Sequence, residues 1–150
     1  MGQSQSNFLQ PTLFDRIINK AFGLFVKLGL GLSHNFLLEV RGRRSGRIYT
    51  TPVNLLDYKG KHYLVAPRGD TQWVRNAVVS RTATLVKGRK RENIRLQLIA
   101  VEARSEILKT YLDTYKLTVQ RYFPVPAGSP VERFESLNSR YPVFEVSRAE

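Results

Sequence analysis

The spacing of apolar residues predicts an amphipathic helix over residues 12–28. Apolar side chains recur there at intervals of three and four residues: Leu13, Ile17, Ala21, Leu24 and Leu28. We expect this face to pack on the core of the domain. The alternative is that Phe22, Phe25 and Leu28, beside two lysines, touch a membrane surface or an apolar substrate.

From residue 36 the pattern changes to short strands separated by tight turns. The expected strands are 36–41, 48–56, 62–66, 83–86, 94–101 and a last one at 141–146. Helices are expected at 71–80 and 105–117, and a further helix begins near Ser129. About six antiparallel strands with flanking helices predict an α+β, mainly β protein, closed or nearly closed as a barrel. We expect one domain at 12–150, after a flexible polar segment at 1–11.

Charge narrows the range of partners. The 24 Lys and Arg against 12 Asp and Glu give a net charge of +12, which favours a polyanionic partner: nucleic acid, anionic lipid, or a ligand bearing phosphate or carboxylate groups. Cysteine is absent, and the two histidines, His34 and His62, are far apart. We therefore expect no disulfide, no cysteine nucleophile and no metal site.

The beginning of the chain resembles neither a cleavable signal nor a membrane span. Its first ten residues are mostly polar, and charged residues interrupt the apolar stretch that follows. We expect a cytoplasmic protein, with peripheral membrane contact through the helix at 12–28 as the alternative.

Two basic stretches are candidates for anion binding. Arg41–Arg47 holds four arginines and two glycines in seven residues; the glycines allow a sharp turn, and guanidinium groups match phosphate and carboxylate oxygens. A charged hairpin turn is the alternative. The stretch 87–91 is more typical of a solvated turn, and no aromatic residues alternate with either run as stacking platforms. We therefore expect no nucleic acid partner.

A third candidate is the segment 66–76, where a strand ends, a Pro/Gly loop follows and a helix begins. A helix N-terminus suits an anion, and Trp73 suits a flat ring, although Trp73 is equally good as a core residue. No Ser-His-Asp triad or carboxylate pair is readable. Chemistry supplied by a bound cofactor is the interpretation that remains.

These segments together resemble the deazaflavin-dependent nitroreductase family. The resemblance rests on Gly42–Gly46, Thr51–Val53, Tyr58–Gly60 and Trp73–Asn76, in that order, and continues loosely to the final strand at 142–146. It implies a split β-barrel of the flavin and deazaflavin oxidoreductase superfamily, with coenzyme F420, a 5-deazaflavin carrying a phosphodiester and an oligoglutamate tail. The family often has arginine where this chain has Tyr49, which keeps FMN as the alternative cofactor; Arg47 is the nearby cation that compensates.

The resemblance also implies a cofactor site. Its residues are Arg43, Arg44, Ser45 and Gly46 for the anionic tail, and Thr51, Pro52, Ala66, Pro67, Arg68, Gln72, Trp73, Arg75 and Asn76 near the ring or phosphate. The implied activity is hydride transfer from reduced F420 to an enone, quinone or nitro compound. Tyr111, Tyr115 and Tyr122 are the candidate proton donors. An FMN-binding reductase, and a non-catalytic carrier of a flavin, tetrapyrrole or lipid, are the alternatives.

Overall fold

The computed structural model describes residues 34–149, which form an antiparallel sheet with two helices. The strands are β1 (Asn35–Arg41), β2 (Ile48–Asn54), β3 (Leu56–Tyr58), β4 (Lys61–Val65), β5 (Thr82–Lys87), β6 (Lys90–Leu98) and β7 (Val143–Arg148). The helices are α1 (Gln72–Ser80) and α2 (Ser105–Val119), with short 3-10 helices at Val101–Ala103, Gln120–Tyr122 and Val131–Leu137. The helix expected at 12–28 and the flexible segment at 1–11 lie outside the described residues.

The order of the strands shows how the sheet closes. It runs β2-β1-β5-β6-β7-β4-β3, and each neighbouring pair is antiparallel. The two strands at the ends of this order, β2 and β3, are separated by Leu55 alone. One edge is therefore tied to the other by a single residue, and β2 also contacts β4. The sheet curls into a nearly closed barrel, which confirms the predicted mainly β architecture.

The predicted strand at 48–56 is two strands in the structure. Its first part pairs with β1 and its last residue begins β3, which pairs with β4. The backbone N–H of Leu55, at the break, donates to the carbonyl of His34 at 2.8 Å. Strand-forming residues continue through this break, so the sequence pattern alone could not reveal that the chain changes partners there.

Other elements also differ from the sequence-based expectation, and β6 ends at Leu98 rather than at residue 101. β6 begins at Lys90 rather than at residue 94, so the second basic stretch forms a tight turn and the first residues of a strand. The last strand runs to Arg148. The helix that follows Ser129 is a 3-10 helix rather than an α-helix.

Two apolar clusters fix the helices against the sheet. The first joins α1 to five strands, with these buried residues among its members: Leu38, Leu64, Val74, Ala77, Leu85, Ile94 and Phe144. The second joins α2 to β3, β4 and the C-terminal 3-10 segment: Leu56, Tyr63, Leu108, Tyr111, Leu112, Phe134 and Tyr141. The burial of apolar side chains therefore holds both helices in fixed positions against the sheet.

Candidate functional site

The basic loop, Gly42–Arg47, connects β1 to β2 in a closed turn. The N–H of Gly42 donates to the carbonyl of Arg47 at 2.7 Å, and the N–H of Gly46 donates to the carbonyl of Gly42 at 3.0 Å. Gly46 has a φ of +74°, which favours glycine. A Cβ at Gly42 would lie 2.6 Å from the ring of Tyr49. Gly46 is therefore required by the shape of the turn, whereas a side chain at Gly42 would displace the ring of Tyr49.

Arg43 joins the basic loop to α1. The Oδ1 atom of Asn76 accepts two hydrogen bonds from it, one from the backbone N–H at 3.1 Å and one from the guanidinium at 2.8 Å. The same guanidinium donates to the Oε1 atom of Gln72 at 3.0 Å. Asn76 is buried, so these bonds hold the loop in one position relative to the helix.

Arg41, the last residue of β1, and the two remaining arginines of the basic loop differ in their availability to an outside ligand. Arg41 donates to the carbonyl of Gly46 at 2.9 Å. Arg44 and Arg47 are exposed, and within residues 34–149 neither side chain forms an ion pair. The hydroxyl of Ser45 accepts the N–H of Arg47 at 3.1 Å and lies 3.3 Å from that of Tyr49. Two cations of the loop are thus available to an anion from outside.

A cavity of about 520 Å³ is lined by residues of β2, of the loop before α1 and of the end of α2. It brings together seven of the residues expected in the site: Thr51, Pro52, Pro67, Arg68, Trp73, Tyr111 and Tyr122. Its volume is in the range of sites for small molecules and cofactors.

The remaining expected residues lie elsewhere. Ala66 is buried in the first apolar cluster. Gln72 and Asn76 bind Arg43, as described, and Arg75 pairs with Asp70 at 3.2 Å. Tyr115 is buried in the second cluster, and its hydroxyl donates to the carbonyl of Leu55 at 3.1 Å.

Several polar residues of the cavity were not expected from the sequence, among them His34, Asn35 and Asn54. Asn35 and Asn54 face each other in the register of β1 and β2, and the Nδ2 atom of Asn35 donates to Oδ1 of Asn54 at 2.7 Å. The Nδ2 atom of Asn54 donates to the hydroxyl of Tyr111 at 3.4 Å. Counting residues outward from a turn at 42–47, which pairs Arg41 with Ile48, would have paired the two asparagines.

Several solved structures share this architecture at low sequence identity. An F420-H2 dependent reductase, FDR-A, matches with a TM-score of 0.51 and 20% identity, covering 77% of this chain and 95% of that one. A FAD-binding protein of Mesorhizobium loti matches at 0.52 and 8%, covering 87% and 89%. The heme storage protein HutZ of Vibrio cholerae matches at 0.55 and 7%, covering 87% of each chain.

The chain has the split β-barrel fold. This confirms the fold that the sequence motifs implied. No protein-family model and no curated protein matches the sequence.

The start of α1 forms part of the cavity wall in this split barrel. The first turn of α1 contains no acidic residue, and the carboxylate that precedes the helix, Asp70, pairs with Arg75. Thr71 precedes the helix and lines the cavity. Its Oγ1 atom is buried and has no hydrogen-bond partner among the described residues. A buried polar atom without a partner is uncommon, and a bound acceptor would satisfy it.

Burial shifts the pKa values of two ring side chains that line the cavity, Tyr111 and His34. It raises the pKa of Tyr111 far above the ordinary value, so the phenol stays protonated at neutral pH. Burial and the nearby Lys87 lower the pKa of His34, which favours the neutral imidazole. The ring of His34 lies against that of Tyr115, with centroids 4.5 Å apart.

The second basic stretch of the split barrel is partly used within the protein. Arg91 pairs with Glu39 at 2.8 Å, and Lys87 lies over the ring of Phe36. Within residues 34–149, no group of three or more histidine or acidic residues is placed to hold a metal ion. None of the helices described there is long and apolar enough to cross a membrane.

Proposed function

We propose that this split barrel is an F420H2-dependent oxidoreductase, which passes hydride from the reduced deazaflavin to an enone, a quinone or a nitro compound. One observation carries the proposal: the basic loop, with exposed Arg44 and Arg47, leads directly into β2, and β2 lines the cavity. A ligand with an anionic tail and a flat ring fits both. The shared fold with an F420-H2 dependent reductase supports the same choice.

The residues present fit such a cofactor. Arg44 and Arg47 are available to the phosphate and glutamate groups of the tail, which guanidinium groups bind through charge-assisted hydrogen bonds. Pro52, Pro67 and Trp73 offer apolar surface to the ring, and the buried hydroxyl of Thr71 lies among them.

The chain's own residues bind the cofactor, orient the substrate and exclude water from the cavity. The reduced deazaflavin supplies the hydride when it is bound. Tyr111 and Tyr122 line the cavity and act as hydrogen-bond or proton donors to the substrate oxygen. In this proposal Tyr115 has a packing role, because its hydroxyl already donates to the backbone of Leu55.

A second candidate is an FMN-binding reductase, or a carrier that does no redox chemistry. Tyr49 favours it, because this side chain adds no positive charge where the resembling family often has arginine. A FAD-binding protein and a heme storage protein have the same fold, and the neutral His34 in the cavity is suited to a tetrapyrrole iron.

Turnover tests the first candidate against the second. Addition of the protein to reduced F420 with menadione or cyclohexenone should accelerate the return of the oxidised cofactor's visible absorbance. Tight F420 binding without turnover across several acceptors would favour a carrier. Binding of FMN in place of F420 would favour a flavin reductase, and Tyr49→Arg would then be the first variant to examine.

A further inference from the structure

We infer that Asn35 and Asn54 orient the hydroxyl of Tyr111 so that it donates a hydrogen bond to a carbonyl or nitro oxygen of a ligand in the cavity. The inference rests on the proposed function only in taking that ligand to be the hydride acceptor. The hydrogen bonds on which the inference is based join side chains of the protein and involve no ligand.

The pairing of β1 with β2 provides the first step. It places Asn35 and Asn54 opposite each other, and their amides are 2.7 Å apart, with Asn35 as donor. The Oδ1 atom of Asn54 is therefore engaged as an acceptor. Its Nδ2 atom, which can only donate, is turned toward the phenol of Tyr111 at 3.4 Å.

The direction of the hydrogen bond from Asn54 to Tyr111 decides the role of the Tyr111 hydroxyl. A phenol can accept hydrogen bonds and donate one. Its oxygen accepts from Asn54, and within residues 34–149 no acceptor takes its hydrogen. Since Tyr111, Asn35 and Asn54 all line the cavity, the hydrogen is left for a ligand there. A donor without a partner at a buried site is costly, so an oxygen acceptor is favoured.

Packing keeps this donor in place. The ring of Tyr111 meets that of Tyr115 edge-on, with centroids 5.2 Å apart, and lies 6.3 Å from that of Phe123. The residue is buried. A side chain held in this way binds a ligand oxygen without first losing its own freedom, and a ligand with a methyl group in place of that oxygen leaves the phenol unpaired.

The test uses the full-length protein without cofactor and the dye N,N-dimethyl-4-nitroaniline. The dye has no N–H donor, and its visible band moves to the red when the nitro oxygens accept a hydrogen bond. The bound dye should absorb further to the red in the wild-type protein than in Tyr111→Phe. The variant should bind it about fivefold more weakly, as expected for one net hydrogen bond.

Two variants separate orientation from the mere presence of the phenol. Asn54→Asp keeps the shape, but its carboxylate accepts the hydrogen of Tyr111, so the red shift should disappear although the tyrosine remains. Asn35→Ala frees the amide of Asn54 to turn, and should reduce the shift. Tyr115→Phe is the matched control, because that hydroxyl donates to Leu55, and it should leave the band in place. Thermal melting verifies that each variant is folded.

The inference is overturned by an unchanged band and affinity in Tyr111→Phe, by a full red shift in a folded Asn54→Asp, or by failure of the wild-type protein to bind the dye. F420H2 turnover is measured separately. Loss of the proposed function, with the red shift retained, would leave the donor arrangement standing for another oxygen-bearing ligand.

Discussion

Replacing both Arg44 and Arg47 with alanine should weaken F420 binding about thirtyfold, or about 2 kcal/mol. The two side chains are exposed and form no ion pair within the described residues, so they are available to the phosphate and glutamates of the tail. Each charge-assisted hydrogen bond is strong, but solvent screening at an exposed site reduces its contribution. Calorimetric titration of the variant and the wild-type protein measures the difference.

The matched control changes two cations of the second basic stretch. Arg89 and Lys90 are also exposed, so replacing both with alanine removes the same net charge from the protein. This control should change the affinity by less than threefold, because these residues lie at the turn between β5 and β6 rather than in the basic loop. If it lost more affinity than the first variant, the tail would bind at the β5–β6 turn.

Replacing Arg104 with alanine should lower the free energy of unfolding by about 3 kcal/mol. Arg104 is buried, and its guanidinium donates to the carbonyls of Ile99 at 3.0 Å, Asn138 at 2.9 Å and Tyr141 at 3.5 Å. Burial lowers its pKa, but an arginine stays protonated near neutral pH. The variant would leave three carbonyls without their donor and a void beside them.

Urea denaturation of Arg104→Ala measures this loss, with Arg133→Ala as the control. Arg133 is exposed on the C-terminal 3-10 helix, and its removal should change stability by less than about 0.5 kcal/mol. Equal losses in the two variants would show that the guanidinium of Arg104 does not tie α2 to the segment before β7.

The parts of the fold that depend on local pattern were predictable from the sequence. Alternating residues and tight turns indicate the positions of six strands, and α2 follows from apolar residues three and four positions apart. The change of partner at Leu55 was not predictable in this way. It depends on the curling of the sheet, which has β2 and β3 at its two ends and brings β2 against β4. The strand pattern of the residues themselves is uninterrupted there.

The site shows the same division. Clustered arginines and glycines mark the basic loop in the sequence itself. The cluster does not reveal that Arg43, unlike Arg44 and Arg47, is engaged within the protein. Its guanidinium binds Asn76, which lies 33 residues away in the sequence. His34, Asn35 and Asn54 carry no motif. They become site residues only because β1 and β2 pair and α2 packs beside them.

Equilibrium binding of F420 tests the central claim most directly. Calorimetric titrations compare F420 at low and high salt with F420 lacking its glutamates and with FMN. We predict a Kd in the low micromolar range or below, about −8 kcal/mol, which weakens as salt screens the tail and weakens again when the glutamates are removed. Absence of F420 binding, or an affinity indifferent to both salt and tail, would contradict the assignment of the basic loop and the cavity to a deazaflavin.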